Sequence, residues 1–335
     1  MPAQRAFQIA ERVFLLSGIV LLAVLLYELG VRTVIANLQL VGWGIALIIA
    51  QEIVAHGANT LGWMAAFPAP QPQISFAQLL TARIAGDAVN YLTPTASLGG
   101  EFVRTRYLRD RADSTAVAAS VAVAKLSQTT GQIAFVILGL VFVLNDTPLP
   151  ANIRHSLIGG LAAFAAMTIV LIMAQRRGMF APMLGLVQRL GLPGRAPEVM
   201  GRLQQLDAEI ARFHGEAAGA FVLSSACFCA GWAAGVIEIY LILWLLGLPV
   251  TVHSALTIEV FSVVIDGMLF FVPAKVGTQE GGKVLIFTLL SFDPSKGLAL
   301  GILRRIRELA WAFIGMVLLS RRQLAPTNTR PLAAA

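Results

Sequence analysis

The chain has 335 residues, 57% of them hydrophobic and 13% charged, with a formal net charge of +7 and a mean hydropathy of +0.76. No soluble domain of this length presents such a balance to water, so lipid is its main solvent and one helical membrane domain over residues 1–335 is expected. The excess of basic residues does not indicate nucleic acid, because these residues stand in short loops between apolar runs and report topology instead.

In chain order, full spans are expected at Val13 to Val31, Leu40 to Phe67, Thr115 to Leu144, Leu157 to Ala174, Ala217 to Leu246 and Leu298 to Ser320. Each is long enough to cross ~30 Å of hydrocarbon, which gives about six crossings. The first run is too long for a cleaved signal and lacks a small-residue cleavage pattern, so it is expected to stay. Two further apolar stretches, Phe76 to Leu108 and Ala255 to Phe292, are interrupted by Pro94 and Pro273, with Gly99, Gly100 and Gly277 close behind. They predict re-entrant helical hairpins, since broken backbone at membrane depth requires cover by protein or a watery cavity. Proline-kinked ordinary spans are the alternative. Between them, Gln175 to Glu216 carries Val199, Leu203, Leu206, Ile210 and Phe213 on one helical face after Pro197, which predicts a cytoplasmic amphipathic helix along the interface.

Arg5 and Arg12, Arg104 to Arg111, Arg176 to Arg212, and Arg321 with Arg322 share one side if both hairpins return to their starting face; only Arg32, Arg154 and Lys296 lie opposite. Both termini are then cytoplasmic. Arg far outnumbers Lys and Ala is abundant, a compositional association with GC-rich bacteria that points to a bacterial inner membrane. Cys227 and Cys229, the only cysteines, fall within one span, so neither a disulfide nor a metal site is expected.

Aligning the two prolines sets Asp87, Pro94, Glu101 and Arg104 on Asp266, Pro273, Glu280 and Lys283, an identical D-x6-P-x6-E-x2-basic pattern offset by 179 residues. The same offset pairs Lys125 with Arg304, Gln128 with Arg307, Gln132 with Trp311 and Asn59 with Glu238. The repeats then run over about 40–144 and about 217–322. Because one unit begins outside and the other inside, an inverted-topology repeat is expected, the arrangement of many transporters; parallel or accidental similarity is the competing reading.

The segments PTASLGGEFVR at Pro94, VPAKVGTQEGGK at Val272 and LRRIRELAW at Leu303 resemble the flippase-like membrane domain of lysylphosphatidylglycerol synthases. Within that superfamily the latter two segments are most similar to membrane proteins associated with hopanoid biosynthesis. The resemblance implies movement of lipid between leaflets, with Pro94, Glu101, Arg104, Pro273, Gly277 and Glu280 as the family-like core. It implies lipids, and hopanoid- or lipid-synthesis proteins, as partners. The chain stops soon after its last span, so the aminoacyl-transferase domain of the synthases, and lipid aminoacylation with it, is expected to be absent.

Arg304, Arg305, Arg307 and Glu308 fall inside the last span, where at ~2.5–3.5 kcal/mol per ion a lipid-facing cluster would cost on the order of 10 kcal/mol. They must face a cavity or partners. Arg304 and Glu308, four apart, are expected to pair, leaving Arg305 and Arg307 for an anionic headgroup; a static network with acidic hairpin residues is the alternative. Lys125, Gln128 and Gln132 are expected to line the same cavity. Glu52, His56 and Asn59 form another polar stripe, either an inter-helix cluster or a proton relay.

After each proline a half-helix is expected to point its N-terminal amides inward, with Thr95, Ser97 or Thr278 as caps and a lipid phosphate docked there. Arg104 and Lys283 would neutralise Glu101 and Glu280, or these carboxyls would be protonated when substrate binds. Proton exchange at Glu101, Glu280, Asp87 or Asp266 is the expected route to energy coupling, against a purely structural role. No nucleophile, base or metal motif is visible, so neither an enzyme nor a cofactor is expected, and the expected function is lipid translocation of hopanoid or phospholipid. A small soluble solute is the alternative cargo, and an intramembrane lipid-modifying enzyme the third reading.

Overall fold

The computed structural model describes residues 20–93, 98–108, 111–146, 151–183, 197–268 and 277–324. Pro94, Thr95, Ser97, Arg109 and Pro273, together with Arg5, Arg12 and the start of the first expected span, lie outside them. Every long element among the described residues is an α-helix. They are α1 Val20–Leu29, α2 Val31–Val41, α3 Gly44–Ala65, α4 Phe76–Leu92, α5 Leu98–Leu108, α6 Ser114–Asp146 and α7 Ala151–Arg176. After these come α8 Pro197–Glu216, α9 Ala218–Leu245, α10 Val252–Met268, α11 Thr278–Leu289 and α12 Pro294–Leu324.

Local chemistry explains the helix starts. Ser75 and Gln78 form a reciprocal capping box before α4. Asp113 accepts the N–H groups of Thr115 and Ala116 at 2.8 and 3.1 Å, and Asp293 accepts that of Ser295 at 2.9 Å. Pro197 and Pro294 occupy first helical positions, where their missing N–H is harmless. At the other end of α9, the Lys296 ammonium donates to the Leu246 carbonyl at 2.9 Å, a cation on the negative end of the helix dipole.

Among the described residues four helices are long and apolar enough to cross a membrane: Gly44–Ala65, Ser114–Val143, Arg154–Arg176 and Ala218–Leu245. The protein is therefore a multi-pass helical membrane protein. The described part of the first expected span, α1, is one helix, and the chain then bends by 87° into α2 at Gly30, whose φ of 80° suits a residue without Cβ. The last, α12, is a single helix of 31 residues, but the charges that make it interesting keep it below the apolarity of an ordinary span.

The two interrupted stretches are each a pair of helices, α4 with α5 and α10 with α11. The first pair folds tightly back on itself: a Cβ on Gly100 would stand 2.2 Å from the Gly86 carbonyl oxygen, and the Gly100 amide donates to Asn90 Oδ1 at 2.6 Å. Shifted by 179 residues, the bounds of α3 to α6 fall within five residues of those of α9 to α12. Packing follows the same exchange. α3 lies along α9, α4 lies on α12, and α10 lies on α6.

These contacts are close because small residues allow them, the means by which helices associate in lipid. A Cβ on Gly131 of α6 would meet the Ser225 carbonyl oxygen at 2.6 Å. Large apolar side chains of α6, α7 and α12, among them Leu138, Phe142, Met167, Ile169 and Phe313, point outward. In water they would be an aggregation surface; here they are the lipid face. α8 buries Ile210 and Phe213 against protein, in the same apolar cluster as Trp63 and Phe228, so at least part of its apolar face serves packing rather than the bilayer.

Candidate functional site

Between the two sets of helices lies a cavity of about 450 Å³, well inside the ~300–1,000 Å³ typical of small-molecule sites. Its wall is drawn from both: Glu52, His56 and Asn59 on α3; Arg83, Asp87 and Tyr91 on α4; Gln128 on α6. Opposite stand Trp232 and Glu238 on α9, Glu259 and Asp266 on α10, Gln279 on α11, and Arg304, Arg307, Glu308 and Trp311 on α12.

Charges in this wall are held by one another. Glu238, fully buried, has Oε2 at 2.9 Å from Arg304 Nε and 2.7 Å from Arg307 Nη1. Arg304 also donates to Glu259, and Arg307 to Glu52 at 2.7 Å. Arg307 thus joins α3 to α9 through carboxylates on both. Glu308 accepts from Gln279 at 3.1 Å and stands 3.7 Å from Arg307. On the other flank Asp87 receives Arg104 at 2.5 Å, with Arg83 at 3.6 Å and His56 Nδ1 at 3.9 Å. The His56 ring rests against Trp311, with centroids 4.6 Å apart, and Trp311 is itself fixed by its N–H donating to the Ile49 carbonyl at 2.9 Å. Breaking such a buried pair strands an ion in a low-dielectric interior, so the wall is mechanically stiff.

Several sequence expectations meet here. Arg304, Arg307, Asp87, Asp266 and Gln128 line one hollow, as do Glu52, His56 and Asn59, which the sequence left as a separate stripe. Glu101, Arg104, Glu280, Lys283 and Arg305 are not wall residues; most of them form a layer of pairs behind it. Glu101 accepts from Arg104 at 2.8 Å, as expected, with Lys125 at 4.0 Å. Lys125 is half exposed and outside the wall.

Three expected pairings are corrected. Arg304 does not pair with Glu308, because Glu238 and Glu259 on neighbouring helices reach it first. Arg305 and Arg307 are not left for a headgroup: Arg305 pairs with Glu280 at 2.5 Å, and Arg307 is held by Glu52 and Glu238. Lys283 turns to Asp266 at 3.8 Å rather than to Glu280. The N-terminal amide site of α11 is also taken from within, since Glu280 accepts the Gly277 N–H at 2.8 Å where a phosphate was expected.

Arg83, Glu259, Gln279 and Trp232 were missed. The first two had a usable signal, an ionisable residue inside an apolar helix, which is a functional indication by default; the Gln and Trp had none. Among the described residues no group of three or more His, Cys, Asp or Glu side chains is arranged to hold a metal ion.

These features define a helical membrane protein with a charged chamber walled by two matching sets of helices. The chain belongs to the family described as lysylphosphatidylglycerol synthase TM region, whose model matches residues 9–315. No curated protein and no solved structure matches it.

Proposed function

We propose that the protein is a translocase that carries a lipid headgroup through the chamber between two inverted units while the tails stay in the bilayer. The observation that carries this reading is the chamber itself: a polar hollow of about 450 Å³ in a chain otherwise dressed for lipid, walled by equivalent helices of both halves. In this reading the α4–α5 and α10–α11 pairs are re-entrant hairpins entering from opposite faces. The protein sits in a bacterial inner membrane with both termini cytoplasmic, and it moves hopanoid or phospholipid without chemical change. Lipid-synthesis proteins would supply the cargo.

Reconstitution tests it. Purified protein in liposomes is given a fluorescent phospholipid and, separately, a hopanoid probe, and the fraction accessible from outside is followed over time. Accelerated exchange of one probe is expected; exchange no faster than in protein-free liposomes sinks the proposal and leaves a soluble solute as the cargo to test. Proton coupling is a separate element of the reading. Glu101→Gln and Glu280→Gln should flatten the pH dependence of exchange, and an unaltered profile in both would remove protons from the mechanism.

A further inference from the structure

Within the translocase reading, we infer that the chamber takes a polyhydroxylated, sugar-like headgroup rather than a phosphate or an amine. The wall residues Glu52, Asp87, Glu238, Glu259, Asp266 and Glu308 outnumber the guanidiniums of Arg83, Arg304 and Arg307 by two to one. A phosphate entering here would meet more like charge than unlike, and the cations it would need are already engaged. An amine fares no better than its charge suggests, because Arg104 and Lys283, paired to Asp87 and Asp266, bring the surroundings close to neutrality.

The deciding feature is what the network leaves over. Among the described residues Glu238 Oε1, an acceptor, has no hydrogen-bond partner, and neither does the N–H donor at Arg307 Nε. His56 Nε2, which accepts or donates according to tautomer, is likewise without a hydrogen bond, although His56 is only 8% exposed. Phosphate oxygens only accept and an ammonium only donates. Hydroxyl groups do both, so a polyol is the headgroup that satisfies leftover donors and acceptors together. Trp232, Trp311 and Tyr91 in the same wall supply aromatic surface for the apolar C–H faces of a sugar ring.

The full chain in phosphatidylcholine nanodiscs is titrated with three short-tailed lipids that differ only in headgroup: glucosyl, phosphate and primary amine. The glucosyl lipid should bind at least about tenfold more tightly than the others, the ratio that roughly one or two well-placed hydrogen bonds provide. His56→Phe, which keeps a ring against Trp311, and Trp232→Ala should each weaken the glucosyl lipid by about tenfold and leave the other two unchanged. Equal or tighter binding of the phosphate or amine lipid overturns the assignment, as does unchanged glucosyl affinity in both variants. The same lipids are then followed between leaflets in liposomes. Selective binding without movement keeps the headgroup class and discards translocation, whereas movement without headgroup selectivity does the reverse.

Discussion

The two halves, α3 to α6 and α9 to α12, share a helical plan but not a distribution of charge. At the 179-residue offset Lys125 corresponds to Arg304, yet Lys125 has a half-exposed side chain beside Glu101 while Arg304 is buried between Glu238 and Glu259. Where α3 carries Glu52 and His56, α9 carries Gly231 and Gly235; where α9 carries Glu238, α3 has the neutral Asn59; and Glu259 answers to Leu80. Backbone geometry therefore repeats, while the ion pairs do not: in the second half they gather on α12, in the first on α4 and α5. The chamber survives because one side supplies polar side chains where the other supplies glycine. Filling both sides alike would close it.

The largest effect should come from removing the fastening where the second half concentrates it. Arg304→Met strands Glu259 as a buried carboxylate and leaves Glu238 to Arg307 alone, and a loss of about 3–5 kcal/mol is expected on breaking such a pair. Lys125→Met at the corresponding place should lower stability by no more than ~1 kcal/mol, as for an exposed ion pair. Unfolding followed in the same detergent for both variants compares them directly. Similar losses would mean that the halves are energetically alike and the asymmetry is superficial.

Next in size is the glycine side of the chamber. In Gly235→Ala the new methyl would lie 2.2 Å from Glu259 Oε1, and in Gly231→Ala 2.3 Å from Asn59 Oδ1. Glu259 is held by Arg304 and cannot retreat freely, so Gly235→Ala should cost about 1–3 kcal/mol, the usual range for overpacking. Gly231→Ala, facing an Asn59 side chain that makes no side-chain hydrogen bond among the described residues, should cost less. A reversed order would show that the chamber is held open by something other than the glycines.

Much of this arrangement is legible in the sequence. Apolar runs located α3, α6, α7 and α9 because a bilayer tolerates little else, and the D-x6-P-x6-E pattern located α4, α5, α10 and α11 with their duplication. The cost of ions in lipid likewise placed Arg304 and Arg307 in a cavity. Partner choice was not legible. Helical spacing offers Arg304 a neighbour at Glu308, but the side chains that win, Glu238 and Glu259, arrive from helices whose rotation no single-helix periodicity specifies. The same limit hid Trp232. The bend at Gly30 falls where the first expected span ends, between Glu28 and Arg32, but its angle was not legible because hydropathy carries no record of φ.

The smallest effects belong to the segment joining the halves, which has no counterpart at the offset. There α8 is tied to the end of α7 by a single carboxylate: Asp207 accepts the N–H groups of Met179, Phe180 and Ala181 at 2.9, 3.0 and 2.8 Å. Asp207→Asn keeps one oxygen but sets an amide nitrogen against a third donor, so a loss of about 1 kcal/mol is expected, typical of a helix cap. Because backbone amides rather than a counter-ion hold Asp207, that loss should change little with salt. Arg212, exposed and paired to Glu209 at 2.6 Å, is the control on the same helix, and Arg212→Ala should stay within ~0.5 kcal/mol and shrink further in high salt. If Asp207→Asn instead matched Arg304→Met in size, the connecting segment would be as much a keystone as the chamber wall, and the contrast between a repeated scaffold and a localised ionic clasp would no longer describe what holds this protein together.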